Sequence, residues 1–490
     1  MNVGIYYFRS LFSQSACSLS SGKLSDYLTN KGYITNIGLL KIDDFSWNAK
    51  YLNQIKKNNI IIYKTNYKDF EYGVRFFENI KNLYPNKKIF LTGPFSNLNE
   101  KEIKRKYKYI DGIFDIQNKN DIDMYLNEEQ KLNNKPTIIY GIDRELEFME
   151  KGSYINLEAS VGCIYNCAFC HINILKYPKE EIEVEKLVDE IDFLVNKMNK
   201  KYLIFNDSVF WKGTIDNDRI YKIIKLIKRK QIKFYFMIYL SLSVKIPNEL
   251  LDELISIGLV RVFFGVENIS EDFQKNNNKY ISSEKSLKFM ELLKNKNVTY
   301  HIGFILFSPE TIYNDLLLNI KFIYNIKKLI RPGMLVEKMR ILPNSKKANM
   351  LKYSKLKIDQ AYNYSFMDNK VEKCYNLLFE FYNKINIRYF EHFFTSIDLA
   401  IGILKREKKD KYYENEIKNY YKVLNNVNEV LYKIIDKMFK TFKYNEEDVV
   451  SLFDLYSLAE VNYINFVNKL KENDNYIYLM LPHGKEDLNV

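Results

Sequence analysis

Three cysteines lie within one short stretch, Cys163-Ile-Tyr-Asn-Cys167-Ala-Phe-Cys170, and the only others, Cys17 and Cys374, are far away in sequence. Thiolates at spacings of four and three on one loop can point at a common centre. A tetrahedral zinc site takes four ligands, and the adjacent His171 is the nearest fourth candidate. An iron–sulfur cube is also ordinarily held by four cysteines. Held by three, it keeps one iron with an open coordination position at which a substrate or cofactor can bind. The spacing alone allows a plain cysteine-rich loop, a zinc site or such a cube.

The elements that position this loop are legible around it. Tyr154–Val161 has the mixed apolar character of a buried strand and runs straight into Gly162-Cys163. Helical and strand periods then alternate. Helices are expected over Val184–Lys197, Ile215–Lys228, from Pro247 through Ile255, Glu284–Lys294 and Thr311–Lys327. Strands are expected at Tyr202–Phe205, Ile232–Val244, Val260–Val266, Thr299–Phe307 and near Leu335–Leu342, which makes six with the first.

The pattern C-x3-C-x-aromatic-C, with Phe169 before the last cysteine, resembles the cluster loop of the radical S-adenosylmethionine (SAM) enzymes. The resemblance implies a partial (β/α)6 barrel of TIM type, a 4Fe-4S cluster on Cys163, Cys167 and Cys170, and SAM chelated to the open iron. Chemistry in parallel α/β barrels collects at the carboxyl ends of the strands, and the matches fall there. Phe205-Asn206-Asp207-Ser208-Val209-Phe210 resembles a family stretch that lines the methionine amino group, which makes Asn206, Asp207 and Ser208 candidate contacts. Gly265-Val266-Glu267-Asn268 is similar to a turn whose glutamate lies by SAM, and a carboxylate there suits a cationic ligand. Gly303 through Thr311 resembles a Gly-x-Pro-Gly-Glu-Thr turn near the adenine, with Pro309 in place and one glycine missing. The third strand, Phe236-Met237-Ile238-Tyr239-Leu240-Ser241, departs from relatives that carry an arginine there. Locally, Asp207 also suits a helix N-cap, and Pro309-Glu310-Thr311 suits a first helical turn.

Upstream, strand and helix periods alternate again: Met1–Tyr7, a helix around Gly22–Lys31, the run Ile60–Tyr63, a helix over Phe70–Leu83, Lys88–Thr92 and Ile110–Phe114. This implies a Rossmann-like, doubly wound parallel sheet over residues 1–135. Its organisation resembles the cobalamin-binding domain that precedes many radical SAM cores. The four histidines, His171, His301, His392 and His483, all lie outside it, so a lower protein ligand for cobalt is missing. Two readings stay open: cobalamin held without that ligand, with small residues in Ser18–Gly22 beside it, or a scaffold that has lost the cofactor.

The barrel is expected over residues 150–345 and an all-helical domain over 346–490, with helices at Val371–Ile385, Tyr420–Phe442 and Val449–Leu470. Cys374 is either inert packing or, by analogy with an epimerase of the superfamily, a thiol that returns a hydrogen atom to the substrate.

The remaining expectations concern surroundings and reaction. A chain of 490 residues exceeds one core, and its 47% apolar content suffices for several. No run reaches the roughly 18 apolar residues of a membrane span, no signal peptide opens the chain, and cysteines are few, so a cytoplasmic, reducing location is expected. The net charge of +13 comes from lysines dispersed among Asn, Ile and Tyr, so it does not imply nucleic acid. Expected partners are a low-potential electron donor of flavodoxin or ferredoxin type and a small-molecule or peptide substrate. The expected reaction is methyl transfer of the cobalamin type to an unactivated carbon. The alternatives are a cobalamin-independent peptide modification such as epimerisation, or a non-catalytic Fe–S or zinc protein.

Overall fold

A computed structural model describes residues 1–9, 19–41, 45–66, 69–116, 118–126, 154–170, 172, 180–326, 332–342, 345–353, 364–385 and 391–480. Cys17, His171 and His483, named above, lie outside these residues. The chain divides into two compact units, Met1–Glu150 and Lys151–Val490.

In the first unit, β1 (Asn2–Arg9), β2 (Ile34–Lys41), β3 (Ile60–Lys64), β4 (Lys88–Thr92) and β5 (Gly112–Phe114) form one sheet in the order β2-β1-β3-β4-β5. All four pairings are parallel. Both faces are buried, as parallel sheets require. Tyr6 and Phe8 of β1 pack with Tyr63 and Phe77 on one side, while Val3, Ile5 and Tyr7 pack with Leu24 and Ile62 on the other. The doubly wound sheet is therefore as expected, with one addition. Strand β2 and the helix Phe45–Lys57 escaped the sequence reading, because Thr35, Asn36 and Gly38 interrupt the apolar run of β2. The strand order reverses between β1 and β3, which is the switch point where such sheets bind ligands.

The second unit is built on β6 (Tyr154–Leu157), β7 (Ser160–Val161), β8 (Glu180–Glu181), β9 (Tyr202–Phe205), β10 (Tyr235–Leu240), β11 (Leu259–Glu267) and β12 (Thr299–Phe304). Five of these form a parallel sheet in chain order, β6-β9-β10-β11-β12. Two expectations need correction. The first strand breaks at Glu158–Ala159, and β7 pairs antiparallel with β8 instead of continuing in the sheet. The sixth strand, expected near Leu335–Leu342, is reduced to one parallel bridge between Phe307 and Lys338, and Pro332–Val336 is helical. A proline pre-set for a first helical turn favours that outcome.

Side chains alternate across the sheet, and the contacts identify its two faces. Phe264 and Phe304 point outward, against Phe289 and Phe322 of the helices Ser283–Asn295 and Tyr313–Asn325. Arg261, Phe263 and Gly265 of β11 point inward with their register partners Thr299, His301 and Gly303 of β12. The inner face is thus layered, with Arg261 donating to Thr299 at 3.1 Å in the lowest layer and Phe263 lying 5.0 Å from the Tyr239 ring in the middle one.

Helices Asn369–Ile385, Glu391–Arg406, Glu414–Thr441 and Glu446–Asn473 make up most of the C-terminal part and share a compact unit with the barrel strands. Helix Glu391–Arg406, absent from the sequence reading, lies across the amino ends of the strands. Its Arg406 donates to the Ile255 carbonyl at 2.5 Å, and its Thr395 carbonyl accepts from Arg261 at 2.8 Å.

Candidate active site

The cysteine loop follows β6 and β7 directly, and Cys163, Cys167 and Cys170 form no disulfide and are partly exposed. Local hydrogen bonds shape it: Tyr165 N–H points at Cys163 Sγ at 3.4 Å, and Cys170 N–H donates to the Cys167 carbonyl at 3.2 Å. Ala168, between the last two cysteines, is clamped from both sides. Its N–H donates to the Asn277 carbonyl and its carbonyl accepts from Lys347 N–H, both at 3.1 Å. Phe169 lies 6.4 Å from the ring of Phe273. Burial pushes the Cys167 thiol up to about 11, against the pull of Lys279, while the charges of Cys170, Glu267 and Cys163 add to the rise. The fold therefore gathers three thiols, one carboxylate and one ammonium.

Glu267 ends β11 in a left-handed backbone conformation, φ 66°, which is unusual for a residue with a side chain. A register irregularity between Gly265 and Glu267 accompanies it, a bulge that re-aims the carboxylate. Two glycines make room. A Cβ on Gly265 would overlap Glu267 Oε1, and one on Gly303 would lie 3.3 Å from Oε2. Lys279 Nζ pairs with Oε1 at 3.5 Å. Asn268 secures the turn by donating to the Ile305 carbonyl at 3.0 Å and accepting from Asn319 at 2.9 Å. Residues held in such rare conformations cluster at functional sites.

The other predicted positions play different parts. Asp207 is buried and accepts from Ala159 N–H at 2.9 Å and from Ser160 Oγ at 2.6 Å, so both its oxygens hold the entry to the cysteine loop. Burial pushes it up to about 6, which those two hydrogen bonds only partly offset. Asn206 is exposed, its N–H donating to the Leu157 carbonyl at 2.7 Å, and Ser208 is half-buried. The Pro309 carbonyl accepts from Met367 N–H at 2.9 Å. Next to it, Glu310 forms an ion pair with buried Lys347, the residue that also clamps Ala168. Cys374 is fully buried on the apolar stripe of Val371, Leu378, Phe381 and Ile385, and burial pushes its thiol up to about 12. It is not among the groups whose charge acts on Cys167.

Residues 157–323 match the family described as the Radical SAM superfamily. The central domain is a radical SAM domain. Curated relatives include the ribosomal protein uS12 methylthiotransferase RimO of Thermosipho melanesiensis, 25% identical over 144 residues, which are 29% of this chain and 33% of that protein. RimO of Dictyoglomus thermophilum is 20% identical over 48% of this chain and 56% of its own length. The chain thus spans a third to just over half of the curated relatives it matches. Among solved structures, the cobalamin-dependent SAM radical enzyme OxsB with aqua-cobalamin bound is similar at TM-score 0.62 and 15% identity, over 99% of this chain and 84% of that one. The radical SAM methyltransferase TsrM of Kitasatospora setae, with cobalamin and a [4Fe-4S] cluster bound, is similar at TM-score 0.53 and 11% identity, over 73% of this chain and 81% of that one.

The residues of the radical SAM domain fit the cluster and SAM that the superfamily implies. Three thiols share one clamped loop, and among the described residues no three His, Cys, Asp or Glu are grouped so as to hold a single metal ion. A cube has a separate iron for each thiolate, so three thiols on one loop can hold it and leave one iron open. Sequence reasoning missed Lys279, Lys347 and Tyr239, which lie around the site, and the pair Arg261–Asp398 in the layer beneath it. Only their place in the fold marks them. Among the described residues, no helix is long and apolar enough to cross a membrane.

Proposed function

We propose that this protein is a radical SAM enzyme that transfers a methyl group to an unactivated carbon, with cobalamin as the methyl carrier. The observation that carries this reading is the likeness to OxsB over 99% of the chain, with the parallel sheet of the first unit preceding the radical SAM domain in this chain. The radical SAM methyltransferase TsrM shares that fold over 73% of the chain.

Bound together, cluster and SAM supply a 5′-deoxyadenosyl radical able to remove hydrogen from an unactivated C–H bond. Cys163, Cys167 and Cys170 would hold the iron, and binding it would release thiol protons, including that of Cys167, whose thiol burial raises. Glu267 presents a fixed carboxylate to the cationic methionine end of SAM, and Asn206, Asp207 and Ser208 form or support the adjoining wall. Phe169 and Pro309 border the adenosine. Tyr239, Phe263 and His301 floor the site and keep water from it. A low-potential flavodoxin- or ferredoxin-type donor supplies the electron.

In the first unit, the switch point between β1 and β3 is where a corrinoid would lie, and no histidine of that unit can ligate cobalt from below. The test is one anaerobic preparation reconstituted with iron, sulfide and hydroxocobalamin, desalted and assayed for products. Retained corrinoid, with S-adenosylhomocysteine formed beside 5′-deoxyadenosine, supports methyl transfer. Four irons without corrinoid, and 5′-deoxyadenosine alone, would overturn it in favour of cobalamin-independent chemistry.

A further inference from the structure

Lys338 stands on the remnant of the sixth strand, where it forms the single parallel bridge to Phe307. The β11–β12 ladder continues past Phe304, with Ile305 N–H donating to the Glu267 carbonyl at 2.5 Å. By the alternation of a strand, Phe307 therefore falls on the same side as Ile305 and Gly303. That side is the inner face, because Gly303 lies against the Glu267 carboxylate. Bridge partners share a face, so Lys338 is also on the inner side. It sits at the carboxyl end of the strands, where barrel chemistry collects.

Three rings box its ammonium. Nζ lies 4.2 Å from the centroid of Tyr375, 4.8 Å from that of Phe366 and 5.4 Å from that of Tyr364. Tyr364 donates to the Phe307 carbonyl at 3.2 Å, and Phe307 packs on Phe366 and Tyr375, so the box is fixed to the strand end. The one side-chain hydrogen bond of Lys338 among the described residues, to the Tyr364 carbonyl, is long at 3.5 Å. Among those residues it forms no ion pair. Glu372 acts on it only through its charge and directs one carboxylate oxygen to Phe366 N–H. A half-buried ammonium without a counter-ion is costly, and burial pushes its pKa below the ordinary lysine value. The rings offset that cost only in part. Lys347 differs, because Glu310 already pairs with it. Resting on the radical SAM reading, we propose that Lys338 anchors the substrate by an anionic group, a carboxylate or a phosphate, at the open seam of the half-barrel.

The test uses the reconstituted full chain with two probes, methylphosphonate followed by phosphorus NMR and trifluoroacetate followed by fluorine NMR. Wild type should bind at least one saturably, and the tighter of the two names the group as phosphate or carboxylate. Lys338→Met, which keeps an apolar stem among the rings, should weaken that binding about tenfold. Lys338→Arg should hold it within about threefold of wild type. Iron content and SAM affinity should be the same in all three proteins. In wild type, trace acetylation of Lys338, read by peptide mass spectrometry, should slow about fivefold at an anion concentration of about four times Kd. No saturable binding of either anion, equal binding by Lys338→Met, or acetylation indifferent to the anion would each overturn the inference. Displacement of SAM by the anion would assign Lys338 to SAM and overturn it too. Failure of wild type to cleave SAM, with anion binding intact, would instead overturn the reading on which it rests.

Discussion

The Glu267 carboxylate occupies the space that a side chain at Gly265 would need. The two residues are neighbours on a bulge, and the carboxylate turns back over the glycine because Glu267 adopts φ 66°. Gly265→Ala should therefore displace the carboxylate while leaving the cysteine loop intact. The expected outcome is a KM for SAM raised about tenfold, ~1.4 kcal/mol, with iron content unchanged. An unaltered KM would remove Glu267 from the SAM site.

Replacing Cys163, Cys167 or Cys170 singly by alanine should abolish both the cluster absorbance and SAM cleavage. No other thiol among the described residues can substitute, since Cys374 is fully buried in a different core. A variant that still cleaves SAM would disprove the ligand assignment.

Asp207 gives the fold a pH dependence of definite sign. Its folded-state value is raised to about 6, so the folded chain holds this proton more tightly than the unfolded one. The stabilisation is complete below about pH 4, where an unfolded carboxyl titrates, and is lost as pH rises through 6. Two units correspond to on the order of 2–3 kcal/mol. Asp207→Asn can still bond Ala159 and Ser160, so urea denaturation between pH 4 and 8 should show a flatter profile than wild type. Superimposable profiles would show that Asp207 does not titrate in this range.

Arg261 and Asp398 tie the helix Glu391–Arg406 to the lowest layer of the barrel. Losing one partner leaves a buried charge uncompensated, at a cost of about 3–5 kcal/mol. Arg261→Met should lower the thermal midpoint sharply, and Arg261→Met combined with Asp398→Leu should recover much of the loss. A double variant no better than the single would mean that the pair contributes through packing alone.

Cys374 should resist iodoacetamide at pH 8 in the folded apo-protein, because its thiol is raised to about 12 and has no exposed surface. The partly exposed loop cysteines Cys163 and Cys170 should react faster under the same conditions. Rapid labelling of Cys374 in folded protein, read by peptide mass spectrometry, would show access to this core and favour a role in hydrogen-atom return.

Much of this protein is determined locally. The thiol spacing Cys163-Cys167-Cys170 and the strand-helix alternation follow from neighbours in the chain, and so could be read directly. Gly265, Gly303 and Glu267 could be named as a site only through their resemblance to turns of the radical SAM family. The tertiary structure decided what depends on register and burial. It put Glu267 in a left-handed conformation, turned Asp207 toward Ala159 and Ser160, and buried Cys374 in an apolar stripe. It also reduced the sixth strand to one bridge at Lys338 and brought the helix Glu391–Arg406 beneath Arg261. Periodicity records which face of an element is apolar but carries no term for its partner. A parallel pairing or a buried ion pair joins residues distant in sequence, and only the packed chain brings them within reach.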